Sequence, residues 1–85
     1  MTKEEIFATV KEIIYRNTYG ISRDEEIELN SHLVNDLNID SLDRVDITLA
    51  AEREFNIEIE DAIVEDIETV KEIVDMIANK LQIQK

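Results

Sequence analysis

The chain contains no cysteine and no proline, and Gly20 is its single glycine. Without cysteine there is no disulfide and no thiol nucleophile, although that absence says little about compartment. Without proline, and with one glycine, the composition suits helices joined by polar loops. Basic side chains are scarce: Lys and Arg total 9 against 21 Asp and Glu, a formal net charge of −12. That balance argues against binding nucleic acid or an anionic membrane and in favour of basic protein partners. Long apolar runs are missing too, none exceeding three residues. A signal peptide or a membrane span would need a longer run, so a cytoplasmic protein is the default expectation.

What is present points to a folded, helical chain. An apolar content of 44% is too high for a disordered acidic tail. Residues 1–85 are expected to form one domain, with a core too small for a deep substrate cleft. Thr2-Lys3-Glu4-Glu5 reads as a capping box, the threonine hydroxyl serving the first turn and the glutamate reaching back. Ile6, Val10, Ile13 and Ile14 recur at helical spacing, with Phe7 widening the stripe. The first helix is expected over about residues 3 to 18, ended by Gly20 in the left-handed conformation. A second box, Thr69 to Glu72, precedes Val70, Ile73, Val74, Ile77 and Leu81, the clearest amphipathic pattern in the chain.

Between Gly20 and Asp40 no helical period is sustained. Ile27, Leu29, Leu33, Val34, Leu37 and Ile39 are expected to anchor this long loop on the rest of the fold, with Asn30 or Ser31 capping a short turn. Asp61 is expected to cap a short helix carrying Ala62, Ile63, Val64 and Ile67. The alternation in Ile57-Glu58-Ile59 is too brief to claim a strand. The sum is an all-α, four-helix bundle: three long helices, one short third helix and a long first loop.

The stretch around which the chain is organised is Asp36-Leu37-Asn38-Ile39-Asp40-Ser41-Leu42-Asp43. Asp40 is a good N-cap for a helix running to about Glu54, and Asp43 reinforces its positive end. Ser41 is then the first helical residue, with its hydroxyl facing solvent. Along this helix Leu42, Val45 and Leu49 form one apolar stripe, and Ile47, Ala51 and Phe55 form another well away from it. A surface helix of a small bundle normally buries one such stripe. Periodicity alone slightly favours a central helix that buries both.

Three chemistries could use residues of these types. Asp36, Asn38 and Asp40 match the first ligand positions of a calcium loop, but Ser41 stands where the turn needs glycine. Ile47 stands where that loop needs its bidentate glutamate. No metal site is expected. A Ser41–His32–Asp hydrolase lacks the glycine-flanked nucleophile elbow and room for an oxyanion hole, and a lone loop histidine is usually only solvated. The acids sit on expected exposed faces, so no catalytic role is assigned to any residue.

Leu37-Asn38-Ile39-Asp40-Ser41-Leu42-Asp43, followed by Val45, Ala50, Glu52, Glu54, Phe55, Ile59, Ile67 and Thr69-Val70, resembles the acyl carrier proteins. The resemblance runs from about Leu33 to Ile77. It implies a four-helix bundle whose serine, here Ser41, receives 4′-phosphopantetheine from coenzyme A and then carries acyl groups as thioesters. It implies as partners a phosphopantetheinyl transferase and acyl-synthesising or acyl-transferring enzymes with basic patches, met by a monomeric carrier. Asp40, Leu42, Asp43, Val45, Asp46, Leu49 and Glu52 match partner-facing positions. Ile47, Ala51, Ile59, Ala62 and Ile67 match the lining of an acyl cavity, and the small Ala51 suggests room there for a medium-length chain.

Peptidyl carriers usually have glycines where this chain has Ile39-Asp40, so acyl cargo is favoured. The sequence departs from the family pattern at Asn38 for glycine, Glu60 for proline, and Arg44 and Arg53 on the second helix. Fatty-acid, specialised lipid and polyketide pathways all stay open. The competing class is an unmodified acidic interaction module.

Overall fold

The computed structural model describes residues 2–18, 21 and 26–83. Its elements, in chain order, are α1 (Lys3–Asn17), α2 (Ser41–Phe55), α3 (Asp61–Asp66) and α4 (Val70–Ile83). No strand occurs among the described residues; an isolated bridge pairs His32 with Thr69. The all-α bundle with a short third helix and a long first loop is the expected architecture.

α1 starts where its capping box places it. Glu5 N–H donates to Thr2 Oγ1 at 3.2 Å, and Thr2 N–H donates to Glu5 Oε1 at 3.0 Å. The helix closes on Thr18 in extended backbone; Gly20, expected to end it, lies outside the described residues. Ile6, Val10, Ile13 and Ile14 are buried and pack α1 against α4 and α2. α4 contributes Val70, Ile73, Val74 and Ile77 to the same core. At its start Glu72 N–H donates to Thr69 Oγ1 at 3.3 Å.

The long loop is anchored as a segment rather than residue by residue. Ile27, Leu33, Leu37 and Ile39 are buried, whereas Leu29 and Val34 are exposed, contrary to expectation. The backbone explains Leu29: its carbonyl accepts the Lys71 N–H at 2.7 Å, holding the loop through main chain instead of side chain. Val70 N–H donates to Ser31 O at 3.2 Å and Leu33 N–H to Glu68 O at 2.8 Å. The first amides of α4, which lack partners within their own helix, are thus used to fix the loop that leads to Ser41.

The short turns before Ser41 are closed by side chains, and one expectation on α3 is corrected. The turn at 33–37 is capped by His32: its Nδ1 accepts the N–H groups of Val34 at 3.2 Å and Asn35 at 3.1 Å. The half-buried imidazole is therefore a structural acceptor through Nδ1. Ser31 closes the turn before it, its hydroxyl accepting the Glu28 N–H at 2.9 Å. Asp61 is the first residue of α3, and Glu60 stands at the cap without a side-chain cap bond. The Glu60 carboxylate is drawn away to Lys80 Nζ on α4, at 3.2 Å.

Candidate functional site

The approach to Ser41 is set by backbone geometry. Asn38 adopts the left-handed conformation, φ 56°, where asparagine is tolerated next best after glycine. The turn lets Ile39 N–H return to Leu33 O at 2.8 Å and buries the Ile39 side chain. Asp40 follows in extended backbone as the N-cap of α2, its Oδ1 accepting the Asp43 N–H at 2.8 Å. Ser41 is the first residue of the 15-residue helix and is exposed. Asp36, one of the calcium-loop candidates, is occupied in the same way, its Oδ2 accepting the His32 N–H at 2.7 Å.

α2 buries one stripe only. Ile47, Ala51 and Phe55 face the core, while Leu42 is 75%, Val45 53% and Leu49 48% exposed. The central-helix reading is overturned: α1 covers one face of α2, and among the described residues the Leu42 side is left exposed. Asp40 and Asp46 are exposed around this stripe, and Asp43 is half-buried. Glu52, expected among the partner-facing acids, also serves the fold, because its Oε2 accepts the Ile59 N–H at 2.9 Å and ties the 57–60 segment to α2.

Beside Ser41 an open groove of about 720 Å³ runs between α2 and α3, with Val34, Ile39, Val45 and Val64 as apolar wall and Asp40, Asp61 and Glu65 on its rim. Exposed Val34 thus extends the apolar surface toward the serine. Adjoining the groove, Ile47, Ala51, Ile59 and Ile67 line a small, partly open cavity of about 30 Å³. That space suits roughly one or two waters and is too small for the medium-length chain inferred from Ala51. Ala62 is exposed and takes no part in the lining; Val64 does instead. The reason is angular. α3 turns Ile63 and Val64 partly inward, and at about 100° per residue that leaves Ala62 facing out.

Sequence reasoning missed Arg44 as a site residue. Its side chain borders both groove and cavity, and its Nη1 donates to Val64 O at 3.2 Å. The signal was available, because Arg44 lies three positions after Ser41 and so shares its helix face.

A phosphate-linked arm suits these residues. The hydroxyl is free to solvent, the helix start favours an anion, and the apolar groove offers a surface to the arm. The chain matches the model of the phosphopantetheine attachment site family over residues 5–77. It is 45% identical over 83 residues to an acyl carrier protein of Petrotoga mobilis, covering 98% of this chain and 95% of that protein. It is 44% identical over 81 residues to one from Coprothermobacter proteolyticus, covering 95% of this chain and 96% of that protein. The crystal structure of the acyl carrier protein from Thermotoga maritima superposes with a TM-score of 0.83 at 26% identity, over 98% of this chain and 94% of that one.

Proposed function

This chain belongs to the acyl carrier proteins, which bear acyl intermediates of biosynthesis on phosphopantetheine, and from that premise we propose that Ser41 is the attachment residue and α2 the docking helix. The observation that carries the reading is the position of Ser41: exposed, first in a capped helix, between an apolar groove and the exposed Leu42, Val45 and Leu49. A lone serine hydroxyl has no nucleophilic strength without a base. The base is therefore assigned to a partner transferase, which takes the Ser41 proton as Oγ bonds to the phosphorus of coenzyme A. The nucleotide half of coenzyme A leaves with the bridging oxygen as the pyrophosphate P–O bond of coenzyme A breaks. Once attached, the arm supplies the thiol that the chain itself lacks, and thioester chemistry with it.

On this reading the whole of residues 1–85 acts as one carrier unit in the cytoplasm, as a monomer and without catalysis of its own. Asp40, Asp43 and Asp46 meet basic patches on the transferase and on acyl-transferring enzymes, and the apolar stripe makes the dry centre of each contact. Electrostatics of this kind speeds encounter more than it tightens the complex, which suits a carrier that must leave each enzyme. Glu52 also acts through the fold, by holding Ile59.

The test is intact mass after incubation with coenzyme A and a broad-specificity transferase. Wild type gains the arm, about 340 Da for a covalent modification of this kind, and Ser41→Ala keeps its fold and gains nothing. An unmodified wild type would favour the acidic interaction module instead. Labelling at Ser31 would overturn the assignment of Ser41.

A further inference from the structure

The cavity of about 30 Å³ holds no acyl chain as it stands, so a wall must move to admit one. α3 is the wall with the fewest anchors. It has six residues, no fully buried side chain and no side-chain bond at its N-cap. Two cationic side chains hold its ends: Lys80 takes Glu60 at the start, and Arg44 takes the Val64 carbonyl in the last turn. The last carbonyls of a helix have no partner within it, and a cation there also meets the negative end of the peptide dipoles. α3 has no basic residue of its own in that turn. Arg44 is therefore both the C-terminal tie of α3 and, with Ile39 and Val64, one of three residues that border both groove and cavity.

We propose that Arg44 is a latch on the cavity, closed on Val64 in the unmodified chain and drawn off by the phosphodiester once an arm is attached at Ser41. Ser41 and Arg44 lie three apart on α2, hence side by side on its surface, and both border the groove. A phosphodiester oxygen is an anionic acceptor, and an Arg–phosphate pair adds charge pairing and a bidentate geometry that a single neutral carbonyl does not offer. Asp40, Asp61 and Glu65 border the same groove, yet the bond Arg44 makes there is to the Val64 carbonyl. Exchange of the guanidinium from carbonyl to phosphate frees the end of α3 and clears the mouth of the cavity. Modification would then prepare the chain to sequester its cargo before any acyl group arrives. The inference rests on Ser41 as the attachment residue.

Amide hydrogen exchange at Ile63 and Val64, whose N–H groups bond Glu60 O, reads the state of α3 directly. It is measured by NMR on unmodified and arm-bearing protein, for wild type and for Arg44→Met, which keeps the aliphatic stem. Unmodified Arg44→Met should exchange these amides about tenfold faster than unmodified wild type, the scale of one lost charged hydrogen bond. The amides of α1 and α4 should stay unchanged, reporting an intact fold. Attachment should accelerate wild type to the same extent and add nothing in Arg44→Met. Equal rates in the two unmodified proteins would overturn the latch. A faster variant, with wild type unaltered by attachment, would overturn the transfer to phosphate. If mass mapping placed the arm elsewhere, the assignment of Ser41 would fall, and the unmodified pair would still judge the latch by itself.

Discussion

Val45 and Ile47 lie two residues apart on α2 and should respond to truncation in opposite ways. Ile47 is 5% exposed, so Ile47→Ala removes three buried carbons and leaves a void, a loss of about 2–5 kcal/mol. Val45 is 53% exposed, so Val45→Ala removes two carbons that are already half in water. At ~0.8 kcal/mol per buried CH₂ the loss is under about 1 kcal/mol. The higher helix propensity of alanine offsets a few tenths of that. For a domain of this size each kcal/mol moves Tm by roughly 4–8 °C. Ile47→Ala should therefore fall by at least about 8 °C and Val45→Ala by only about 3 °C. Thermal melts followed by circular dichroism give both values. The same Val45→Ala protein should accept phosphopantetheine more slowly from the transferase. A Val45→Ala melt as low as that of Ile47→Ala, with an unchanged transfer rate, would refute a partner-facing stripe.

His32→Ala should lose about 0.5–2 kcal/mol in denaturant unfolding, as for other lost caps, and His32→Asn should recover most of it if the acceptor at Nδ1 is what matters. Asn38→Gly should be nearly neutral, while Asn38→Ala should cost about 1–2 kcal/mol for a side chain that dislikes the left-handed region. Bonding to the Thr2 backbone, then to its hydroxyl, holds the Glu5 carboxyl below its usual 4.5; for Glu60 its own N–H comes first and Lys80 second. A carboxyl lowered on folding stabilises above its unfolded value and loses that contribution as pH falls through the folded one. A pH series of melts should accordingly show a shallower acid limb below about 4.5 in Glu5→Gln than in wild type. Finally, Tm should rise as NaCl shortens the Debye length from ~30 Å at 0.01 M to ~10 Å at 0.1 M. It should rise further with millimolar Mg²⁺ at matched ionic strength, without saturating tightly, since no group of three metal-binding side chains occurs among the described residues. A flat response to both would mean that the acids are already neutralised within the fold.

α1 and α4 were legible because their starts are written in local chemistry, Thr2 with Glu5 and Thr69 with Glu72, and their core faces in simple periods. The motif before Ser41 was legible for the same reason: Asp40 caps its own helix, and Asn38 bends its own backbone. Periodicity could not say which stripe of α2 is buried, since that depends on α1 lying across one side. The loop misled at Leu29 because main-chain bonds to α4, which have no sequence signature, hold it there. Ala62 was misplaced because a six-residue helix is oriented by its neighbours rather than by its own pattern. Arg44 was seen only as a surplus positive charge; its reach to Val64 crosses twenty positions of chain and is a fact of packing.

Ser41 is rooted in a helix and not at the tip of a loop, and that matters for anything tethered to it. Along α2 it lies a fixed distance, about 12 Å at 1.5 Å per residue, from Leu49 at the far end of the exposed stripe. An enzyme that grips the stripe has thereby located the root of the tether. The tether's free end then explores a volume set by its own length alone, without the added wandering of a mobile base. A smaller volume means a higher effective concentration at the enzyme's active site. With the arm on Ser41 as proposed, rigidity at the root would raise the encounter rate of the cargo without any contact to the cargo itself.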